Sequence, residues 1–437
     1  MTSALETATM RLVNARLLPF VFVLYTFNFL DRTNIGFAAL QMNADLGFTP
    51  AVFGRGAGIF FIAYALCEVP SNLIIARLGA RRWIALIMVV WGLVASAMYL
   101  VHTPLEFYGM RLLLGVAEAG FFPGIVYYVG TWFPASYRAR ALAIFSMAIP
   151  CSQVLGGPLS AALLKLNGVM HLAGWQWLFL VEGLPSVVLG FLVLRRLDDR
   201  PGEAEWLGSE QRRWLEGTLE AEAPGAVAHA SPLRALGNPL VWVLAMPWFA
   251  IYAVGLGYTF WSPLLIREAL GTSNTATAMI VGAMGLAVAG LYPLAGRLSD
   301  RLDERCLMTA AGLGSACLGC VGMALFPHSL LRMIALGLIA LNFPLCMAAF
   351  WCLPTRLLKG PSAAAAIALI NAIGACGGFF GPTIIGSLKQ ATGSDAGAFV
   401  GLGLIAAAGA GVCVALRRLP VFKPQRAAVT RGAQPAT

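Results

Sequence analysis

The chain reads as an all-α integral membrane protein whose twelve transmembrane helices form two pseudo-symmetric six-helix bundles. Composition, span count and an internal echo predict this. Of 437 residues, 59% are hydrophobic and 11% are charged, with a mean hydropathy of +0.77. A soluble domain carries about 25% charged residues. Twelve apolar runs reach spanning length, which takes about 20 helical residues. The 48 glycines suit close-packed membrane helices.

The first six runs lie near 17–40, 52–76, 83–101, 105–129, 139–164 and 175–195. The other six lie near 239–265, 275–298, 306–326, 330–353, 363–388 and 396–416. The first run is too long for a cleavable signal peptide and lacks a small-residue cleavage site. Between the sixes, residues 196–236 hold eight of the 20 carboxylates. Within them Gly208–Glu222 reads as a short surface helix, and Pro224, Gly225 and Pro232 read as linker. The expected division is therefore 1–195 for one bundle, 196–236 for a cytoplasmic connector, 237–416 for the other bundle and 417–437 for a tail.

Basic residues set the expected orientation. With the amino terminus inside, inner segments hold 23 of the 30 Lys and Arg residues and outer segments hold five. That asymmetry puts both termini in the cytoplasm and accounts for the net charge of +10. No basic soluble domain is left to bind nucleic acid. The nine cysteines fall within the spans with no paired external set, and Cys317 and Cys320 read as packing.

Span 1 is the unusual one, with Asp31 and Arg32 side by side in its middle. A charge at that depth costs about 2.5–3.5 kcal/mol on insertion scales, so such groups face a bundle interior or cavity. Neighbouring helix positions point about 100° apart, so each needs a partner from elsewhere. Span 4 supplies Arg111 and Glu118. Seven steps return to within about 20° of one face, about 10.5 Å along the axis, so both are expected to face the interior that holds Asp31 and Arg32. Arginines grip carboxylates with paired hydrogen bonds, and desolvated carboxylates beside an anion are placed to take up and release protons. The four histidines fall in loops or at span ends, so any proton relay is expected to use carboxylates. The competing reading is a set of fixed helix-to-helix salt bridges.

The two halves echo each other. Asn72–Arg77 after span 2 and Gly296–Arg301 after span 8 are offset by 224, as are Gly157-Pro158 and Gly381-Pro382. Phe122-Pro123 and Phe343-Pro344 are offset by 221. Duplicated halves around a polar midplane are an arrangement of secondary transporters.

The strings FNFLDRTNIGFA in span 1, RLLLGVAEAGFFPG in span 4 and GWQWLFLVEGLP in span 6, with GRLSDR after span 8, resemble the major facilitator superfamily, and within it the anion:cation symporter family. The resemblance runs from about Leu17 to Leu416. It implies the major facilitator fold and proton-coupled import of a small organic anion across the cell's inner (cytoplasmic) membrane, by a monomer without a cofactor. It further implies substrate contacts at Arg32, Arg111, Tyr64, Trp351 and Asn371, and proton coupling at Asp31 and Glu118. Arg297, Asp300 and Arg301 match the family's interdomain charge lock. The first copy of that loop departs from the pattern at Asn72 and Ala76, so its lock must be built differently. Glu68 and Glu182 fall in segments whose family role is structural.

The stretch Phe145–Ile149 is apolar apart from Ser146, and Ala348 adds no hydroxyl before Trp351. This favours a short or aromatic carboxylate over a polyhydroxylated acid, and LNGVMHLAGWQWLF is most similar to the tartrate and hydroxyphenylacetate branch. Two rivals stand beside this reading. An exporter of the same fold predicts an aromatic pocket with a lone acid. A membrane enzyme lacks support from any HExxH or GxSxG motif.

Overall fold

The computed structural model describes residues 2–222, 237–302, 304–327, 329–347, 349–358 and 363–422. Twelve helical spans appear: Ala4–Asp45, Pro50–Glu68, Ala80–Leu100, Pro104–Trp132, Ala135–Leu164 and Gly174–Arg196 in the first half. The second half contributes Pro239–Leu270, Asn274–Ser299, Arg305–Leu325, Ser329–Leu357, Ala366–Thr392 and Ala396–Leu416. They are numbered spans 1 to 12 in that order. The chain is a multi-pass membrane protein.

Local chemistry sets the span ends. Pro50, Pro104 and Pro239 each occupy the first helical turn, where a missing N–H costs nothing. Thr103 and Glu106 close a reciprocal cap on span 4. Span 1 starts earlier than expected, because its helix runs Thr2–Asp45. Hydropathy marks where a helix enters lipid, whereas the helix itself continues out of it: Met10 and Val13 are buried, and Glu6 accepts a hydrogen bond from the Tyr137 hydroxyl.

Spans 4 and 10 were expected to be continuous and are not. Span 4 is Pro104–Glu118 followed by Phe121–Trp132. Span 10 contains Ser329–Ala340, Asn342–Met347 and Cys352–Leu357. The first breaks, at residues 119–120 and 341, are related by the spacing of the Phe-Pro repeat. Each stands just before that Phe-Pro pair, whose proline has no N–H to give to the helix.

The halves meet along two seams, span 2 against span 11 and span 5 against span 8. Both carry a Gly-Pro repeat. A Cβ on Gly157 would lie 2.5 Å from Gly282 Cα, and one on Gly54 would lie 2.4 Å from the Pro382 carbonyl oxygen. Only small residues allow backbones that close. Further ties join the halves at the face away from the termini: Arg267 donates to the Leu40 carbonyl at 2.6 Å and Thr49 donates to Gln390 at 2.8 Å. Deeper in the bundle, Asn371 of span 11 donates to Glu68 of span 2. The bundle is closed on the far side.

The connector helix spans Ser209–Glu222 as expected. Trp206 stacks on Trp132 of span 4, and Glu222 accepts from the Ala135 backbone at the start of span 5. The expected linker prolines 224 and 232, with Gly225, lie outside the described residues, as does Ala348.

Candidate functional site

Arg32 and Glu118 form the centre of the site. Arg32 Nε and Nη2 donate to the same oxygen, Glu118 Oε2, at 3.0 and 2.8 Å. Asn28, one turn before Arg32, donates to that oxygen at 3.1 Å and accepts from Arg32 at 3.3 Å. Glu118 is fully buried, while the Arg32 side chain keeps 11% of its surface open. Its guanidinium lies 5.1–5.3 Å from the rings of Phe29, Phe60 and Tyr64. The break in span 4 directly follows Glu118, which places that carboxylate beside helix ends rather than a continuous wall.

The second half completes the site with aromatic rings. Trp248 and Tyr252 of span 7 pack together at 5.0 Å, and Trp351 of span 10 meets Trp248 edge-on at 4.6 Å. Tyr252 lies within electrostatic reach of both Arg32 and Glu68. Asn371 of span 11 accepts from Trp248 Nε1 at 3.3 Å and donates to both oxygens of Glu68 at 2.9 and 3.2 Å. Expected site residues Arg32, Tyr64, Glu118, Trp351 and Asn371 thus gather at the junction of the halves.

The other two charges make their hydrogen bonds elsewhere. Arg111 is buried and spends its donors on the Gly56 and Ala57 carbonyls at 3.2 Å. It fastens span 4 to span 2, on the ring of Phe60 that Arg32 also approaches. Asp31 faces spans 3 and 6, accepting from Trp91 at 3.0 Å and Ser186 at 2.7 Å. The sequence placed four charges in one interior, and the structure divides them among three settings. Residues on one face of a helix at different depths meet different neighbours, and helical phase alone does not say which.

Asn28, Glu68, Trp248 and Tyr252 escaped the sequence reading. Glu68 was read as structural, yet it is the first-half partner of Asn371. Asn28 lies four residues before Arg32, a spacing that puts both on one face of the helix.

Of the expected interdomain lock, only the two arginines can be described. Arg297 and Arg301 are exposed and carry no hydrogen bond or ion pair among the described residues. The Asp300 side chain lies outside the described residues. At the altered first loop, Asp199 after span 6 accepts from the Arg81 backbone N–H at 2.8 Å. A carboxylate from another loop there caps the start of span 3.

A family sequence model described as Major Facilitator Superfamily matches residues 21–382 and 265–434. The chain is 46% identical over 406 residues to a protein of Agrobacterium vitis named "Putative tartrate transporter", covering 91% of this chain and 92% of that one. It is 39% identical to the "Quinolone resistance transporter" of Acinetobacter baumannii over 92% of this chain and 93% of the relative. In fold it is similar to a bacterial homologue of the human lysosomal transporter Spinster, in its inward-facing, unoccupied conformation. That match has a TM-score of 0.71 at 19% identity, covering 92% of this chain and 95% of the other. Twelve spans in duplicated halves, a charged site at their junction and these similarities lead to one conclusion: the chain belongs to the major facilitator superfamily and is a membrane transporter, not an enzyme.

Proposed function

We propose that this transporter imports a small organic anion of the tartrate type together with protons, across the bacterial inner membrane, with both termini in the cytoplasm. The observation that carries the reading is Arg32, a guanidinium among aromatic rings whose only charged hydrogen-bond partner among the described residues is Glu118. A carboxylate substrate competes with Glu118 for that guanidinium. Breaking a buried ion pair on one side costs about 3–5 kcal/mol, so the exchange is easiest when Glu118 takes a proton as the anion arrives. That proton offsets one negative charge of the arriving anion. Release to the cytoplasm reverses both events, and the halves rock about the shared site. The Arg267–Leu40 and Thr49–Gln390 contacts are the ones that opening on the far side must break.

The apolar surroundings support a short acid. Phe145 of span 5 stacks on Tyr25 at 4.2 Å, an aromatic wall that offers no amide to the hydroxyls of a polyhydroxylated acid. The test is competition uptake in proteoliposomes with an acid exterior, using tartrate, hexonates, hydroxyphenylacetate, nicotinate and phthalate. Tartrate or an aromatic acid is expected to compete at least tenfold better than a hexonate, and a protonophore is expected to abolish accumulation. A hexonate competing best would overturn the substrate preference.

Export is the second reading, favoured by the quinolone-resistance relative and the cluster of Trp248, Tyr252 and Trp351. It requires proton movement on adding a quinolone and no uptake of any acid.

Arg111 is a helix tie in this reading. Arg111→Lys loses the paired carbonyl contacts and is expected to cost on the order of 2 kcal/mol of stability. Tm falls by several degrees while the tartrate KM changes less than threefold. A tenfold rise in KM at unchanged Tm would instead return Arg111 to the binding site.

A further inference from the structure

A second carboxylate pair lies behind span 1, away from the Arg32 guanidinium. Glu182 of span 6 is one turn before Ser186, whose hydroxyl donates to Asp31. Asp31 and Glu182 are each 1% exposed. Both oxygens of Glu182, the free oxygen of Asp31, both polar atoms of Asn34 and the Ser160 hydroxyl are buried without a hydrogen-bond partner. These groups are neighbours: the Glu182 carboxyl feels the charge of Asp31 and lies against the polar side chains of Asn34 and Ser160. They come together from spans 1, 5 and 6.

The chemistry of this gap is lopsided. Its charged members are two carboxylates, and Asp31 also feels Glu118 of span 4. From spans 3 and 5 it is faced by Trp91 and Ser160, which carry no charge. Among the described residues, neither carboxylate has a hydrogen bond or ion pair with Arg, Lys or His. Two carboxylates in a water-excluded gap without a cation do not both remain ionised. Asp31 is also bonded in sequence to Arg32, so a proton here and an anion there act on the same turn of span 1.

We propose that Asp31 and Glu182 share one proton as a second proton site of the N-terminal half, with Glu182 setting how readily Asp31 loads. This rests on the proton-coupled reading above and adds a residue to it. Glu182 is a positioning residue, touching neither the anion nor Arg32. Its ionised form would hold the proton on Asp31, so its removal makes loading harder.

The experiment is tartrate uptake by the full-length protein in proteoliposomes as a function of external pH, with tartrate counterflow as the check on folding. Glu182→Gln is expected to keep counterflow within threefold. The pH of half-maximal uptake should move about one unit toward acid, a tenfold higher proton demand. Glu182→Asp should leave the profile near wild type. Glu182→Ser, equally uncharged, carries the same expected shift if the glutamine variant is not recovered folded. Superimposable profiles for wild type and the uncharged variants would make Glu182 a permanently neutral structural acid and overturn the inference alone. Sodium dependence at fixed pH that vanishes in Glu182→Gln would assign the gap to a sodium ion and also overturn it. Wild-type uptake indifferent to pH and protonophore would bring down the proton-coupled reading, and this inference with it.

Discussion

Replacing Arg32 with alanine is expected to lower tartrate uptake at least a hundredfold. Two losses combine. The anion loses its charged partner, and hydrogen bonds to charged groups are worth about 1.5–3 kcal/mol each. Glu118, fully buried, loses the guanidinium that holds two hydrogen bonds to its Oε2, and an orphaned buried charge costs about 3–5 kcal/mol. Arg32→Lys separates these effects. It keeps a positive charge beside Glu118 and forfeits the forked geometry and the stacking on Phe29, Phe60 and Tyr64. An intermediate fall of about tenfold or more is expected. Initial rates in proteoliposomes at matched protein incorporation measure both. Wild-type uptake by Arg32→Ala would remove Arg32 from substrate binding and the central claim with it.

Glu118→Gln is expected to split transport into its two components. The amide is nearly isosteric and still accepts from Arg32 and Asn28, so the fold and the exchange of tartrate across the membrane should persist. Accumulation against a gradient should fall sharply, because the proton that exchanges with the anion can no longer load at this position. Losing the carboxylate also removes the internal competitor for Arg32. At alkaline pH, where wild-type Glu118 is ionised and paired, the variant should bind tartrate more tightly, by about tenfold. Near acid pH the difference should close. Counterflow KM across pH, beside protonophore-sensitive accumulation, reads both arms. Retained uphill uptake would take Glu118 out of the coupling mechanism.

These effects depend on contacts that differ in how visible they are in the chain. The spans, their duplication and the buried charges of spans 1 and 4 were legible, because hydropathy and motif spacing are local properties. The Gly-Pro repeats were legible too, although the seams on which they lie were not. Helical phase correctly set Asp31 and Arg32 on different faces. It could not choose partners for Arg111, whose side chain found two backbone carbonyls on span 2 rather than an anion. Nor could it find Glu68 with Asn371, residues separated by 303 positions.

The sequence by itself determined a membrane bundle of two related halves with charges that had to be buried. Burial follows from composition and from the length of each run, and every helix carries that information along its own axis. The tertiary structure alone decided which charges meet: Arg32 with Glu118, Arg111 with span 2, and Asp31 with Trp91 and Ser186 near Glu182. It also placed the breaks in spans 4 and 10 at the centre of the fold. A charged side chain in a dry interior takes the nearest group that can satisfy it, and what is nearest is fixed only when separate helices pack.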